Sequence, residues 1–425
     1  MEKLVIDNFL AIEHAEIEIK KINLFIGPQA QGKSLISKLI YFFVGFPNSL
    51  KEAAWKSYET RNEFEKFTLE RFEKIFPKYT WGNKPFTINY QHDKYYISIV
   101  YSPTDENIKK NSQFPSLVIN SDLLETLNKI LLEMKEGDAF VLKVPEALGD
   151  IFPFESDDLL YIPAGRSFFA TLEKNIFALI NSDIKIDYFL TLFGKNYVPL
   201  REFACNAKKL GLYSEIYAES EQQKRVEQLV KQIICGDFLF ENQQSWIIGE
   251  NGKTNIVDAS SGQQEALPIA ILLSTITYYD DVFDPKHFII EEPEAHLFPV
   301  SQNEIVLLIA NAYNYLRKIR EDSKLNSFTI ATHSPYILTA FNNLIQAGNV
   351  AASKNYEDLD ELRAVVPESE WVDFNDVTAY VVDKGTVKPI LNHELKLIHA
   401  NMIDEVSNHL SEKFRKLLHM EVIDE

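Results

Sequence analysis

Apolar positions along this chain fall into three patterns: strict alternation, short unbroken runs, and stripes at helical spacing. Residues 3–6, 15–19 and 22–26 read as strands. Ala15-Glu16-Ile17-Glu18-Ile19 alternates as a half-buried antiparallel strand does, and Ile22 to Ile26 is apolar throughout, as a buried strand is. These predict an N-terminal β-meander. After a break at 27–34, Leu35, Ile36, Leu39, Ile40, Phe43 and Val44 share one helix face. Residues 49–78 predict helix, with Phe64, Phe67, Phe72, Ile75 and Phe76 on one stripe that suits core packing. Alternating strands follow at 87–90 and 96–100, and Asp122-x-x-Glu125 is a capping box opening a helix over 123–135. No catalytic signature falls in 45–155, which reads as an insertion.

Further on, 159–162 is a short buried strand, and 168–235 is a helical region without sustained heptads, so no long coiled-coil arm is encoded. Strands are expected near 238–240, 246–248 and 254–257, with Asn251-Gly252 as a hairpin turn. An apolar helix opens after Ser260. Apolar runs at 287–290 and 328–332 read as buried core strands around an amphipathic helix at 300–320. The tail predicts strands at 362–366 and 379–382 and a helix over 394–418. The class implied is α/β, one domain over 1–425, with a mixed sheet and inserted helical and β segments.

The break at 27–34 carries the first chemistry. Gly27-Pro28-Gln29-Ala30-Gln31-Gly32-Lys33-Ser34 is G-x-x-x-x-G-K-S between a strand and a helix, which is the P-loop context. Gly27 and Gly32 permit the tight turn. The amides of Gln29, Ala30, Gln31 and Gly32, with the helix N-terminus, can then face phosphate oxygens. Lys33 can reach the β- and γ-phosphates of a nucleotide, and the Ser34 hydroxyl can ligate Mg²⁺.

Two apolar strands end in matching polar groups. Glu291-Glu292-Pro293-Glu294 follows the strand at 287–290. Glu291 is suited to hold Mg²⁺, directly or through water, and Glu292 to orient or deprotonate an attacking water. His333 ends the strand at 328–332 and can contact a γ-phosphate or that water; His333 and Glu294 are the next candidates for the base. Ser260-Ser261-Gly262-Gln263 opens the apolar helix, where a hydroxyl and free amides suit an anion.

Charge narrows the partners. There are 43 Lys+Arg against 62 Asp+Glu, a net −19, which argues against a broad electropositive DNA surface and leaves room only for a local basic groove. Two cysteines, Cys205 and Cys235, suggest neither a disulfide framework nor a cysteine zinc site. No apolar run approaches membrane-spanning length, so a soluble cytoplasmic protein without membrane partners is expected.

In the order P-loop, Ser261-Gly262-Gln263-Gln264, Glu291-Glu292-Pro293-Glu294 and His333, the chain resembles ABC-type ATPases allied to the SMC heads and the OLD (overcoming lysogenization defect) nucleases. Asn8-Phe9 and Tyr161-Ile162-Pro163-Ala164-x-Arg166 add to the likeness. The resemblance implies an ABC-type P-loop NTPase fold and hydrolysis of ATP with Mg²⁺. It also implies that Ser261, Gly262 and Gln263 cap the γ-phosphate of a nucleotide on the opposite protomer of a homo-oligomer, at least a dimer. Departures are Gln29 for the usual Asn, Gln31 for a small residue, and Glu291 for the usual aspartate. No Q-loop glutamine is placed, and Arg166 is open between a phosphate contact and a structural ion pair. Asp373, Asp376 and Asp383 lack the glutamate-then-Asp-x-Asp arrangement of a TOPRIM nuclease domain. The chain therefore looks like a stand-alone ATPase subunit, similar to those of the anti-phage systems PARIS and Septu, in which a separate effector such as a nuclease does the damage. In that reading direct DNA binding is weak or absent. The alternative is an SMC-like repair or DNA-clamp ATPase.

Overall fold

A computed structural model describes residues 2–46, 61–92, 95–103, 115–125, 159–171, 186–210, 220–250, 252–278, 287–319, 327–353 and 358–399. In chain order the elements are β1 (Glu2–Phe9), β2 (Ile12–Ile19), β3 (Ile22–Ile26), α1 (Lys33–Val44), α2 (Arg61–Ile75) and α3 (Lys78–Trp81). Next come β4 (Phe86–His92), β5 (Tyr95–Tyr101), β6 (Ser116–Ile119), β7 (Leu159–Ile162), α4 (Ser167–Thr171), α5 (Tyr188–Leu210) and α6 (Glu221–Ile234). They are followed by β8 (Asp237–Glu241), β9 (Gln244–Gly249), β10 (Gly252–Asn255), α7 (Ser261–Tyr278), β11 (His287–Glu291), α8 (Pro299–Ile319) and β12 (Ser327–Thr332). The last are α9 (Pro335–Ala351), α10 (Leu359–Val365), β13 (Val377–Asp383), β14 (Thr386–Pro389), β15 (Leu391–Asn392) and β16 (Leu397–Ile398).

Eleven strands make one sheet, ordered β6-β5-β4-β1-β2-β14-β13-β3-β12-β11-β7. The β13-β3-β12-β11-β7 half is parallel throughout, and the β6-β5-β4-β1-β2 half is antiparallel. The unbroken apolar runs follow from this division, because a parallel sheet is covered on both faces. Leu24, Ile26, Leu160, Ile162, Phe288, Ile290, Phe328 and Ile330 enter one core with the apolar sides of α7, α8 and α9. Phe25, Tyr161, Ile289, Tyr380 and Val382 enter a second core with α1 and the antiparallel half.

Across the parallel half, Thr329, Asn23 and Thr378 stand in one register. The buried Asn23 amide is satisfied there: Oδ1 accepts from Thr378 Oγ1 at 2.9 Å and from the Lys20 amide at 2.7 Å, while Nδ2 donates to Lys20 O at 2.7 Å. A slip of one residue would leave that amide buried and unpaired, so the ladder pins the register.

The structure alters several sequence-based expectations. The N-terminal strands are not a simple meander, because the β13–β14 hairpin lies between β2 and β3. Within 45–155, β4, β5 and β6 extend the main sheet beyond β1, and Phe64, Phe67, Phe72, Ile75 and Phe76 are buried in its core. The segment expected as a strand at 362–366 belongs largely to helix α10, because Asp358 Oδ1 caps the Glu361 amide at 3.0 Å and starts a helical turn. Glu394 opens no helix. Asn392 Oδ1 accepts from the amides of Glu394 and Leu395, fixing the tight turn between β15 and β16. The helix expected over 123–135 is seen to residue 125, and the rest of it, like 400–418, lies outside the described residues. Among the described residues no helix is long and apolar enough to cross a membrane.

Candidate functional site

The carboxyl ends of β3, β11 and β12 bring the candidate residues to one edge of the sheet. The loop from β3 to α1 needs its glycines for packing as well as for turning. A Cβ on Gly27 would lie 2.1 Å from the Val382 carbonyl oxygen. One on Gly32, at φ 107°, would lie 2.7 Å from Ile12 Cδ1. Ala30 also adopts positive φ, at 59°. Gln31, long where the resembling family has a small residue, is used: its Oε1 accepts from the Lys384 amide at 2.8 Å. This ties the loop to the turn between β13 and β14, a contact that no sequence signal announced.

Lys33 is buried, with Nζ donating to the carbonyls of Gly27 at 2.8 Å and Pro28 at 2.7 Å. Nζ also lies 3.0 Å from His333 Nδ1. Burial lowers the Lys33 pKa to about 8, against the opposing pull of Glu292 and Glu294. His333 Nδ1 also lies 2.9 Å from Gly27 O, and Nε2, the other ring nitrogen, faces Glu292 Oε1 at 3.3 Å. The result is a continuous row from Lys33 through His333 to Glu292. Beside it opens a cleft of about 410 Å³, lined by Leu10, Ala11, the loop from Gln29 to Ser34, Glu292 and His333.

Glu292 sits at φ 44°, an uncommon conformation for a non-glycine residue. Its amide donates to Ala331 O at 2.7 Å, and its carbonyl is gripped by Arg166. Arg166 is fully buried. Nη1 donates to Pro163 O and Glu291 O, both at 2.7 Å, Nη2 to Glu292 O at 2.9 Å, and Nε to Glu265 O at 3.0 Å. The Glu265 carboxylate from α7 answers with bonds to the amides of Arg166 and Ser167. Burial lowers the Arg166 pKa, while Glu265 and the nearby glutamates oppose that shift. Arg166 is therefore a clamp between β7, β11 and α7, with its guanidinium spent on backbone carbonyls rather than turned to the cleft.

Glu291 does not line the cleft. Its Oε2 accepts from the Ala164 amide at 3.4 Å, while Oε1 is buried without a partner. Burial first, and then the neighbouring Glu291 charge, push the Tyr161 phenol well above its ordinary pKa. Glu294 accepts from the His333 amide at 2.6 Å and leaves Oε2 buried and unpartnered. Gln302 Oε1 accepts from Ser334 Oγ, and Gln302 Nε2 donates to Leu297 O. The segment after β11 is thus stitched to the start of α9. Glu294 and Gln302 were not recognised in this role, although the Glu-x-Glu spacing after an apolar strand was visible.

Ser261, Gly262 and Gln263 lie away from this cleft. Ser261 is exposed at the start of α7, and Gly262 is buried, with room for no Cβ, since one would lie 2.8 Å from His296 O. The Gln263 side chain is occupied: Nε2 donates to Ile234 O at 2.8 Å and Oε1 accepts from the Ser260 amide. Gln263 shapes the loop, leaving Ser261 as the outward side chain with the packed Gly262 beside it.

The donor set fits a nucleotide with Mg²⁺: a cation between loop carbonyls, glycines where side chains cannot enter, an exposed Ser34 hydroxyl, and a buried carboxylate oxygen on Glu291 lacking a partner. Fold and site together define a P-loop NTPase fold of the α/β class. No family model and no curated protein sequence matches the chain. Among solved structures it is similar to an SMC head bound to the C-terminal winged-helix domain of ScpA, with TM-score 0.43, 12% identity, and coverage of 91% of this chain and 96% of that one. It is similar also to an Smc head with an extended coiled coil bound to the C-terminal domain of ScpA, from Pyrococcus furiosus (0.41, 11%, 96% and 100%). A third is the SMC head domain from Thermotoga maritima (0.35, 8%, 91% and 97%).

Proposed function

We propose that this chain binds ATP with Mg²⁺ in the cleft and hydrolyses it in sites completed by a second copy of itself. The observation that carries the reading is the row Lys33–His333–Glu292 at the mouth of the P-loop, with distances of 3.0 and 3.3 Å. Lys33 and the loop amides take the phosphates. Ser34 and Glu291 would hold Mg²⁺, which supplies charge neutralisation at the β- and γ-phosphates when bound. Glu292 orients or deprotonates the attacking water, and His333 fixes its carboxylate. The outward Ser261, with Gly262 beside it, supplies the cap on a neighbour's γ-phosphate. In the fuller reading, which rests on the motif resemblance, the cycle switches a separate nuclease-type effector in phage defence. Phage plating of cells expressing both genes checks that step, with protection expected to vanish in Lys33→Ala.

Glu292→Gln tests the chemistry. The variant should bind ATP with unchanged affinity and turn it over about 10²–10⁴-fold more slowly, the range for loss of a general base. Near-normal turnover in a phosphate-release assay would move the base to another residue. Lys33→Ala should instead lose binding of a fluorescent ATP analogue while keeping its fold, and unchanged affinity would remove the nucleotide reading.

A further inference from the structure

The other end of the parallel sheet holds a second cleft, larger than the first and opposite in charge to the chain as a whole. Lys21 precedes β3, whose far end runs into Gly27, so the two clefts are separated by five residues of strand, about 17 Å. The second cleft encloses about 1390 Å³ between the β2–β3 turn, α6, α8 and α10. Six cations line it, Lys21, Lys224, Arg225, Arg317, Lys318 and Arg363, against two acids, Glu221 and Glu368.

Half of these cations are already committed. Lys21 pairs with Asp376 at 3.1 Å, Arg225 with Glu370 at 2.7 Å, and Arg363 with Glu368 and Asp360. Lys224, Arg317 and Lys318 are exposed and have no ion pair among the described residues. They stand on two different helices facing one hollow. A macrodipole role accounts for Arg317 and Lys318 in the last turn of α8, but not for Lys224 near the start of α6, where a cation is disfavoured. In a chain of net −19, this convergence of cations on one hollow suits an anionic partner.

We propose that this cleft binds the phosphodiester backbone of a nucleic acid, with Lys224, Arg317 and Lys318 each meeting one phosphate. The site goes beyond the proposed ATPase reading and does not depend on it. Its volume and its cations on two helices suit a polyanion better than a single phosphate. Contact through three phosphates gives modest, sequence-independent affinity, compatible with the acidic average of the chain.

The test is anisotropy of labelled 5′-hydroxyl oligonucleotides, single-stranded and duplex, with the full chain at about 50 and 200 mM salt. Three phosphate contacts imply log–log salt slopes of about −2.1 for a single strand and −2.7 for a duplex, hence losses of about twentyfold and fortyfold between the two salts. The tighter arm identifies the form bound. K224E/R317E/K318E should abolish binding while keeping ATP-analogue affinity at the distant P-loop, and K224Q/R317Q/K318Q should flatten the slope. Lys33→Ala should leave oligonucleotide affinity unchanged. Absence of binding by the wild type would overturn the proposal. So would unchanged binding by the triple variants, or displacement of the oligonucleotide by polyglutamate at equal charge, which would assign the cleft to an acidic protein.

Discussion

At the scale of residues, two buried cations in the site do different work, and pH separates them from ordinary surface charges. Lys33 titrates near pH 8 in the free protein. For folding, the sign is that of a base with a depressed pKa: the burial penalty is present in full below about 8 and is relieved as pH rises towards the unfolded value near 10.5. For phosphate binding the sign is opposite, because the ligand needs the ammonium. ATP-analogue affinity should therefore fall about tenfold between pH 7 and pH 9, following the protonated fraction of Lys33. Fluorescence titration checks this, with Lys33→Ala weak and flat across the same range. Arg166 cannot be separated from the fold in that way. Arg166→Met would leave the carbonyls of Pro163, Glu265, Glu291 and Glu292 without that donor and the buried Glu265 carboxylate without its counter-charge. Loss of one partner of a buried pair costs about 3–5 kcal/mol. A urea melt should show that loss; stability close to wild type would return Arg166 to the phosphate-contact reading.

At the scale of elements, what was legible in the sequence was what periodicity and motif spacing encode. β3, α1, α8, β11 and β12 fall where their apolar patterns place them, because each packs an uninterrupted face. The P-loop, Glu292 and His333 meet in one cleft because all three follow the carboxyl ends of adjacent parallel strands. Sheet order was not legible. The β13–β14 hairpin enters between β2 and β3 from more than 350 residues away, and Asn23 meets Thr378 only through that pairing. The strand expected at 362–366 and the start of the helix expected over 394–418 differ because single caps, Asp358 and Asn392, outweigh their local apolar pattern. The Asn23 ladder gives a direct check on the pairing. Asn23→Leu should destabilise by about 1–3 kcal/mol through the unpaired Thr378 hydroxyl and Lys20 amide. Thermal unfolding measures it, and a neutral result would mean that the ladder contributes nothing to the register.

At the scale of the whole molecule, the cleft and the outward Ser261 do not share a wall, so a composite site requires a second copy. At the start of α7 the Gln263 amide is capped by Ser260 Oγ, Ser261 is exposed, and Gly262 is packed against His296. Ser261→Arg should consequently leave ATP binding to the single protomer intact and abolish hydrolysis, since a bulky cation prevents closure around a neighbour's γ-phosphate. Mixing distinguishes this from local damage. Neither Lys33→Ala nor Ser261→Arg should turn over alone, yet one mixed pair carries a sound P-loop opposite a sound Ser261-Gly262. ATPase activity should return in part on mixing, with exchange of labelled subunits confirmed in the same sample. Normal hydrolysis by Ser261→Arg alone would remove the two-copy site. Failure to recover despite demonstrated exchange would mean that the paired sites fire only together or that Ser261 acts within its own protomer, and an excess of wild-type subunits separates those outcomes, because concerted sites are poisoned in proportion to the Ser261→Arg added.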